Sequence, residues 1–362
     1  LSSYKLEFSV YIYSRMRMNH SVTLKDIAKA LNLSISTISK ALNDSHEIGA
    51  DTKQKVLDYA KEHNYLPNRM AKGLKEGKSR SIGVVVCSLD NNVIAQMLDG
   101  IHKVCTDKSY QIIIMQSKES EKLESACIEL LYAGGIDGIL ISPAYETINF
   151  NYLISLQESG LPVVLFDRLI DKIHTHKVGA DNFKGAYEAT THLINNGYRN
   201  IAHLNTNTIL SIATERLNGY KQALADHGIP CREELMVSCN YTGATSLNEN
   251  LEEAVKSYMG LENKPDAIFT ATDQISTRCL VILNKLGYRI PEDIALIGFT
   301  NTELADAMNP PLSTVHQPAF EIGKLAAEKL FSLIEKKNVD EDYETVLLPI
   351  DVQVRASSQA RK

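Results

Sequence analysis

The chain contains no tryptophan, and none of its six cysteines stands at metal-ligand spacing from another. Cys87, Cys105, Cys127, Cys231, Cys239 and Cys279 are scattered, mostly within apolar runs. Neither a metal site nor a disulfide framework is expected, and the thiols read as buried and free. Long apolar runs are missing as well. The stretch from Phe8 to Tyr13 is too short to span a membrane and lacks a small-residue cleavage site, so no signal peptide and no membrane partner are expected and the location reads as cytoplasmic. A phosphate loop is also absent. The segment Gly73 to Ser79 has three residues between its glycines where such a loop has four, and it precedes a strand-like run instead of following one. No nucleophile carries a basic partner at a recognisable spacing. Enzymatic turnover and a cofactor are therefore not expected.

What is present is a soluble composition, 44% hydrophobic and 23% charged over 362 residues, enough for two or three domains. The net charge of −6 is an average over unlike parts. Residues 22–80 carry eleven Lys or Arg against seven Asp or Glu, and residues 1–21 carry three against one. The remainder is therefore about −12. A basic N-terminal piece on an acidic body suits a head that binds nucleic acid, because phosphate neutralisation supplies most non-specific affinity.

From Thr23 the apolar period becomes helical: Leu24, Ile27, Ala28 and Leu31 fall at i, i+3, i+4 and i+7. Thr23 suits an N-cap, and Asp26 suits the positive end of the helix dipole. Asn32 and Leu33 interrupt. Ser34 then caps a second short helix that buries Ile38, Ala41 and Leu42, and a third, from about Asp51 to Glu62, offers Val56, Leu57 and Ala60. Two short helices across a tight turn make a helix-turn-helix, whose second helix enters the major groove. On pattern alone any small three-helix unit would fit. The outer side of the second helix favours the DNA reading: Ser36, Thr37, Ser39 and Lys40 are short hydroxyls and a cation that allow close approach and hydrogen bonds to phosphates or base edges.

After Arg80 apolar runs alternate with amphipathic segments. Strands are expected at Ile82–Cys87, Gln111–Met115, Gly138–Ile141, Val163–Phe166, Ile201–Leu204, Ala267–Thr270 and Ala295–Gly298. Helical patterns include Ile94–Lys108, Lys184–Asn196, Glu215–His227, Leu247–Tyr258 and Ile275–Leu286. The alternation predicts an α/β core of parallel sheets covered on both faces, with a ligand crevice at the carboxyl ends of the strands.

Specific motifs go further. The run VTLKDIAKALNLSISTISKALN (Val22 to Asn43) and the segment NYLPN (Asn64 to Asn68) resemble the head-piece of the lactose/galactose repressor (LacI/GalR) family. The segments at 178–182, 192–201, 215–220, 265–269, 290–299 and 311–318 are similar to the core of the same family, in order and spacing. The resemblance runs from about Val22 to Ser357. It implies a type I periplasmic-binding-protein-like core of two α/β subdomains behind an N-terminal three-helix head. The expected organisation is a disordered segment or extension at 1–21, a helix-turn-helix domain at 22–67, a hinge helix and linker at 68–80, an effector-binding and dimerisation core at 81–357 and a tail at 358–362. Within the core, one subdomain would span about 81–180 plus 311–340, and the other 181–310 plus 341–357.

By resemblance, Ile35, Ser36 and Lys40 read bases, with Thr23, Ser34, Thr37, Ser39 and Asn43 completing the DNA-facing set. Lys40 stands where the family most often has Arg, and a flexible point charge should discriminate differently from a bidentate fork. Asn68, Ala71 and Leu74 belong to the hinge segment, where Leu74 would wedge into the minor groove or serve as an ordinary linker residue. Arg216 and Asp273 are the foremost effector contacts, unless they pair with each other or with Asp167 and Arg168. Tyr241 and Phe299 would stack on the ligand, and Asn91, Ile94 and Arg168 complete the expected site. The family's frequent acidic residue after the Gly-aromatic pair is here Thr300. The helix Ile94–Lys108, with Met97, Leu98 and Ile101 on one face, reads as dimer surface or as core. With no heptad extension near Lys362, a homodimer on a near-palindromic operator is expected, controlled by a small molecule such as a sugar.

Overall fold

The computed structural model describes residues 22–65, 78–206, 211–239, 244–335 and 342–360. The chain divides into two compact units, with the boundary in the sequence between Gly77 and Lys78.

In the first unit, helices α1 (Leu24–Leu31), α2 (Ile35–Leu42) and α3 (Ala50–Glu62) follow the sequence pattern closely. Thr23 caps α1 reciprocally: its hydroxyl accepts from the Asp26 amide, and the Asp26 carboxylate accepts from the Thr23 amide at 2.9 Å. Asn32 ends the helix in the left-handed region, φ 53°, where a short amide side chain costs little. Ser34 then caps α2 through the Thr37 amide at 3.0 Å. Ile27, Ala28, Ile38, Ala41, Val56 and Ala60 form the common core.

The second unit holds two six-stranded sheets. The first contains β1 (Ser81–Val86), β2 (Gln111–Gln116), β3 (Ile139–Ile141), β4 (Val163–Phe166), β5 (Lys177–Ala180) and β11 (Thr345–Leu348), ordered β11-β5-β4-β3-β1-β2 and parallel throughout. The second contains β6 (Ile201–Thr206), β7 (Met236–Cys239), β8 (Ala267–Thr270), β9 (Ala295–Phe299), β10 (Ser313–His316) and β12 (Asp351–Gln353), ordered β12-β10-β9-β8-β6-β7. Only β12 runs antiparallel to its neighbour there. Central strands such as β1 read as unbroken apolar runs because helices bury both faces.

On one face of the first sheet, α4 (Asn92–Asp107) and α11 (Ala319–Glu335) pack against each other. Their contact is glycine-dependent. A Cβ on Gly100 would stand 2.0 Å from the Phe320 carbonyl oxygen, and one on Gly323 would stand 1.9 Å from that of Met97. The other face carries α5 (Glu121–Ala133) and α6 (Asn151–Glu158). The second sheet lies between α7 (Asn182–Asn195) with α8 (Ser211–Asp226), and α9 (Ala244–Gly260) with α10 (Asp273–Lys285).

Three short crossovers join the subdomains, at β5–α7, β10–α11 and β11–β12. They revise the expected boundaries. β10, placed by sequence with the first subdomain, is hydrogen-bonded into the second sheet, and β11, placed with the second, pairs with β5. The chain therefore changes sheets inside 316–319 and again inside 348–351. The expected tail also begins too early. Ser358 is fully buried, its hydroxyl 2.7 Å from that of Ser313, and the Tyr198 hydroxyl donates to the Gln359 carbonyl at 2.7 Å. Among the cysteines, Cys231 is exposed and the other five are buried, which corrects the uniform expectation.

Candidate functional site

The outer face of α2 is polar apart from one residue. Ser34, Ser36 and Asn43 are exposed, and Ile35 is 46% exposed, an apolar side chain held out in water. Residues 35, 36, 39, 40 and 43 recur at helical spacing, so Ile35, Ser36, Ser39, Lys40 and Asn43 share one side of the helix. Thr37 turns its hydroxyl to Ser34 at 2.8 Å, and Asn43 donates to the Ser39 carbonyl at 2.7 Å. The Lys40 ammonium is paired with Glu47. Asn68, Ala71 and Leu74 lie outside the described residues.

In the core, each sheet reverses its strand order beside its first strand, at β1/β3 and at β6/β8. Open α/β sheets bind ligands at the carboxyl ends of strands at such points. Residues from both sheets converge there. Arg216 on α8 is buried, and its guanidinium lies 3.7 Å from the centre of the Phe299 ring. Its Nε and one terminal nitrogen donate to Asn182 Oδ1 at 2.9 and 2.7 Å. It also donates to the Ala271 carbonyl and, at 3.2 Å, to Gln317 Oε1. Burial pulls its pKa down to about 10, against Asp167 and Glu215, so it stays charged at neutral pH. Arg216 is not paired with Asp273, as one sequence alternative had it.

Asp273 opens α10 and is half-buried. Its carboxylate accepts from the Thr300 hydroxyl, and the Asn301 amide and the Asn92 side chain stand close enough to favour its charged form. Burial nonetheless raises its pKa, since these polar neighbours only partly replace lost hydration. Arg168 forms a bidentate pair with Glu119, both contacts at 2.7 Å, and also reaches the Pro143 carbonyl at 3.0 Å. Burial acts to raise the Glu119 pKa, but the Arg168 fork outweighs it and holds that carboxyl low. Asp167, φ 62°, is pushed up by burial despite Arg168, Arg216 and a Ser142 hydroxyl at 3.1 Å.

Two expected contacts are placed differently. Ile94 is 1% exposed and packs in the first core with Val86 and Met97, so it does not line the crevice. Phe299 is fully buried, and its face serves Arg216. Asn91 caps α4 through the Val93 amide at 2.9 Å. Tyr241 lies outside the described residues. Met97 and Ile101 belong to the core, and only Leu98 of that trio keeps an outward position beside His102.

Sequence reasoning missed the amides that tie the site together. Asn301, 2% exposed, donates to Gln96 Oε1 at 2.7 Å and to the Gln317 carbonyl at 2.8 Å, and it accepts from the Gln317 amide at 2.9 Å. Gln96 on α4 thus bonds across to the second subdomain, and Asn92, one turn before it, stands beside Asp273. Amides give no periodic signal, although Asn182 and Gln317 do fall inside the recognised segments.

A helix-turn-helix head and a two-sheet core with a polar crevice define a helix-turn-helix regulator with a periplasmic-binding-protein-like body. Comparison with known proteins agrees. Residues 23–68 match "Bacterial regulatory proteins, lacI family", and residues 190–358 match a periplasmic binding protein-like domain. The Ribose operon repressor of Haemophilus influenzae is 30% identical over 340 residues, covering 94% of this chain and 99% of the relative. Catabolite control protein A of Priestia megaterium is 29% identical over 340 residues, covering 94% and 100%. The lac repressor dimer bound to operator and the anti-inducer ONPF superposes with a TM-score of 0.81 at 23% identity, covering 94% of this chain and 99% of that one, and shares the fold. The chain belongs to the LacI family and is a DNA-binding transcriptional regulator.

Proposed function

We propose that this chain is a repressor whose operator affinity is set by a small molecule, a sugar or sugar derivative, held between the two core subdomains. The observation that carries the reading is the crevice itself. Arg216, Asp273, Asn182, Asn301 and Gln317 gather on the β6/β8 side of the crevice, and Gln96 bridges to them from the other subdomain. Directional donors and acceptors of this kind match vicinal hydroxyls. The relative from Haemophilus is by its name the repressor of a ribose operon, which points the same way.

Pairing of two copies completes the reading. β2 is the open edge of the first sheet, and Ile113 and Ile114 on it are 42% and 44% exposed. With Leu98, Asp99, His102 and Tyr110 they line a groove. A bare apolar edge invites pairing, and a second copy supplies a two-fold partner for a near-palindromic operator. Ligand closure would then alter the spacing of the two hinge segments, with Leu74 wedged in the minor groove. Selection of bound sites from random DNA, followed by gel shifts with Ser36→Ala, Lys40→Ala and Leu74→Ala, tests the DNA half. All three should weaken operator binding while ligand-induced thermal stabilisation of the core persists. Unchanged operator affinity in all three would overturn the assignment.

A further inference from the structure

Among the described residues, the buried carboxylates of the crevice are offset by guanidiniums that are already engaged. The segments leaving the carboxyl ends of the strands, together with α8, bring Asp90, Glu119, Asp167, Asp181, Glu215 and Asp273 to this side of the molecule. Asp90 and Asp273 sense each other's charge, as do Glu119 and Asp167. Against them stand two guanidiniums, and both are engaged. Arg168 spends its fork on Glu119 and a further N–H on the Pro143 carbonyl. Arg216, 5% exposed, places four donor contacts on Asn182, Ala271 and Gln317 and one face on Phe299, which leaves it a single N–H. Lys118 and Lys172 are exposed. The segments 207–210 and 240–243, which also follow strands, contain no Lys or Arg in their sequence.

Four helix N-termini, the other common seat for an anion, are already provided for. Asp181 caps α7 through the Lys184 amide at 3.0 Å. Asp273 stands in the first turn of α10, Glu121 and Glu124 stand in that of α5, and Asn91 caps α4. A phosphate brought to any of these four, or to either guanidinium, would meet carboxylates or engaged donors in place of the forks and open amides that phosphates need.

We infer that the site takes an uncharged polyhydroxylated effector and rejects the phosphate ester of the same molecule. The inference rests on the small-molecule reading above and adds the charge class of the ligand. Hydroxyls can donate to Asp167 and Asp273 and accept the remaining N–H of Arg216. A phosphate dianion has no comparable partner and is repelled by every unpaired carboxylate.

The test is calorimetric titration and thermal shift of the full chain with matched pairs: ribose and ribose 5-phosphate, glucose and glucose 6-phosphate, adenosine and its monophosphate. Inorganic phosphate serves as an anion probe. The expected result is binding by an uncharged member, with its ester weaker by roughly 30-fold or more and phosphate inert. Asp90→Asn, at a residue given no ligand contact, should narrow that gap by about threefold while leaving the uncharged ligand's affinity within a fewfold, because the amide keeps the size and removes a charge felt at Asp273. An ester that binds as tightly as its parent overturns the charge assignment and leaves the sensing reading standing. Binding by no member of any pair instead fails the sensing reading, and the charge assignment with it.

Discussion

Replacing Gln96 by Ala should loosen the closed arrangement of the core without unfolding it. The side chain accepts from Asn301 Nδ2 at 2.7 Å and returns a weak contact to the Asn301 carbonyl at 3.4 Å. Only the first is a full hydrogen bond, worth about 1 kcal/mol net, because Asn301 Nδ2 keeps the Gln317 carbonyl after the substitution. Since the bond exists only when the subdomains meet, about 1 kcal/mol becomes a roughly fivefold shift toward open forms. Spin labels at Glu146→Cys and Glu303→Cys, both exposed and on opposite subdomains, would report it by pulsed electron-spin distances in ligand-free protein. Cys231, the exposed native thiol, is first replaced by Ser. The melting temperature should hold. Asn301→Ala makes the contrast, because it also strips the Gln317 amide of its acceptor inside the second subdomain and should cost a further ~1–3 kcal/mol of global stability. An unchanged distance distribution in Gln96→Ala, or a melting loss equal to that of Asn301→Ala, would refute the reasoning.

Substitutions at two further sites test local electrostatics. Glu124 is fully buried, and its carboxylate accepts from the Ala144 amide, the Thr147 hydroxyl at 2.9 Å and the Tyr152 hydroxyl. Burial raises its pKa, so the folded state holds the proton more tightly and this group's contribution to stability falls as pH rises from the unfolded carboxyl value through the raised one. Glu124→Gln, which can still accept from Ala144 and donate to both hydroxyl oxygens, should match or exceed the parent in urea melts at pH 8 and lose that advantage near pH 4.5. Glu124→Leu should cost about 1–3 kcal/mol at either pH by orphaning the Ala144 amide. In the head, Glu47→Gln releases Lys40 from an exposed ion pair worth about 0–1 kcal/mol. Operator affinity should rise twofold to fivefold at low salt, with the gain fading as salt increases, in gel shifts across a salt series.

Much of the architecture was legible because parallel strands buried on both faces leave short unbroken apolar runs. Val163–Phe166 and Ala267–Thr270 were bounded to the residue for this reason. β5, β7, β10 and β12 escaped because Lys177–Ala180, Met236–Cys239, Ser313–His316 and Asp351–Gln353 are short and mix polar residues into their runs. The exchange of β10 and β11 between sheets was illegible, since a crossover of two residues leaves no compositional mark. Met97 and Ile101 were ambiguous on α4 because an amphipathic face reads the same whether a sheet or a second subunit covers it. At the site, residue type pointed to Arg216 and Asp273, but occupancy did not. Nothing in the sequence near Arg216 shows that Asn182, Ala271 and Gln317 already take its donors, or that Phe299 offers its face to the guanidinium instead of to a ligand.

That occupancy bears on how a ligand could act at a distance. A ligand shifts a conformational equilibrium only by binding one arrangement better than another. Asn182 begins α7 at one crossover and Gln317 lies in a second, so the two amides that hold Arg216 are also residues about which the subdomains would turn. Gln317 in turn brackets Asn301 through its backbone, and Asn301 reaches α4 through Gln96. Asp273 is held by Thr300 within its own subdomain and has the Asn92 side chain of the other subdomain beside it. A hydroxyl that donates to Asp273 would therefore bind beside a residue of each subdomain. On the proposed reading, the atoms that recognise the ligand would themselves favour one arrangement of the subdomains over another, with no separate relay between sensing and closure.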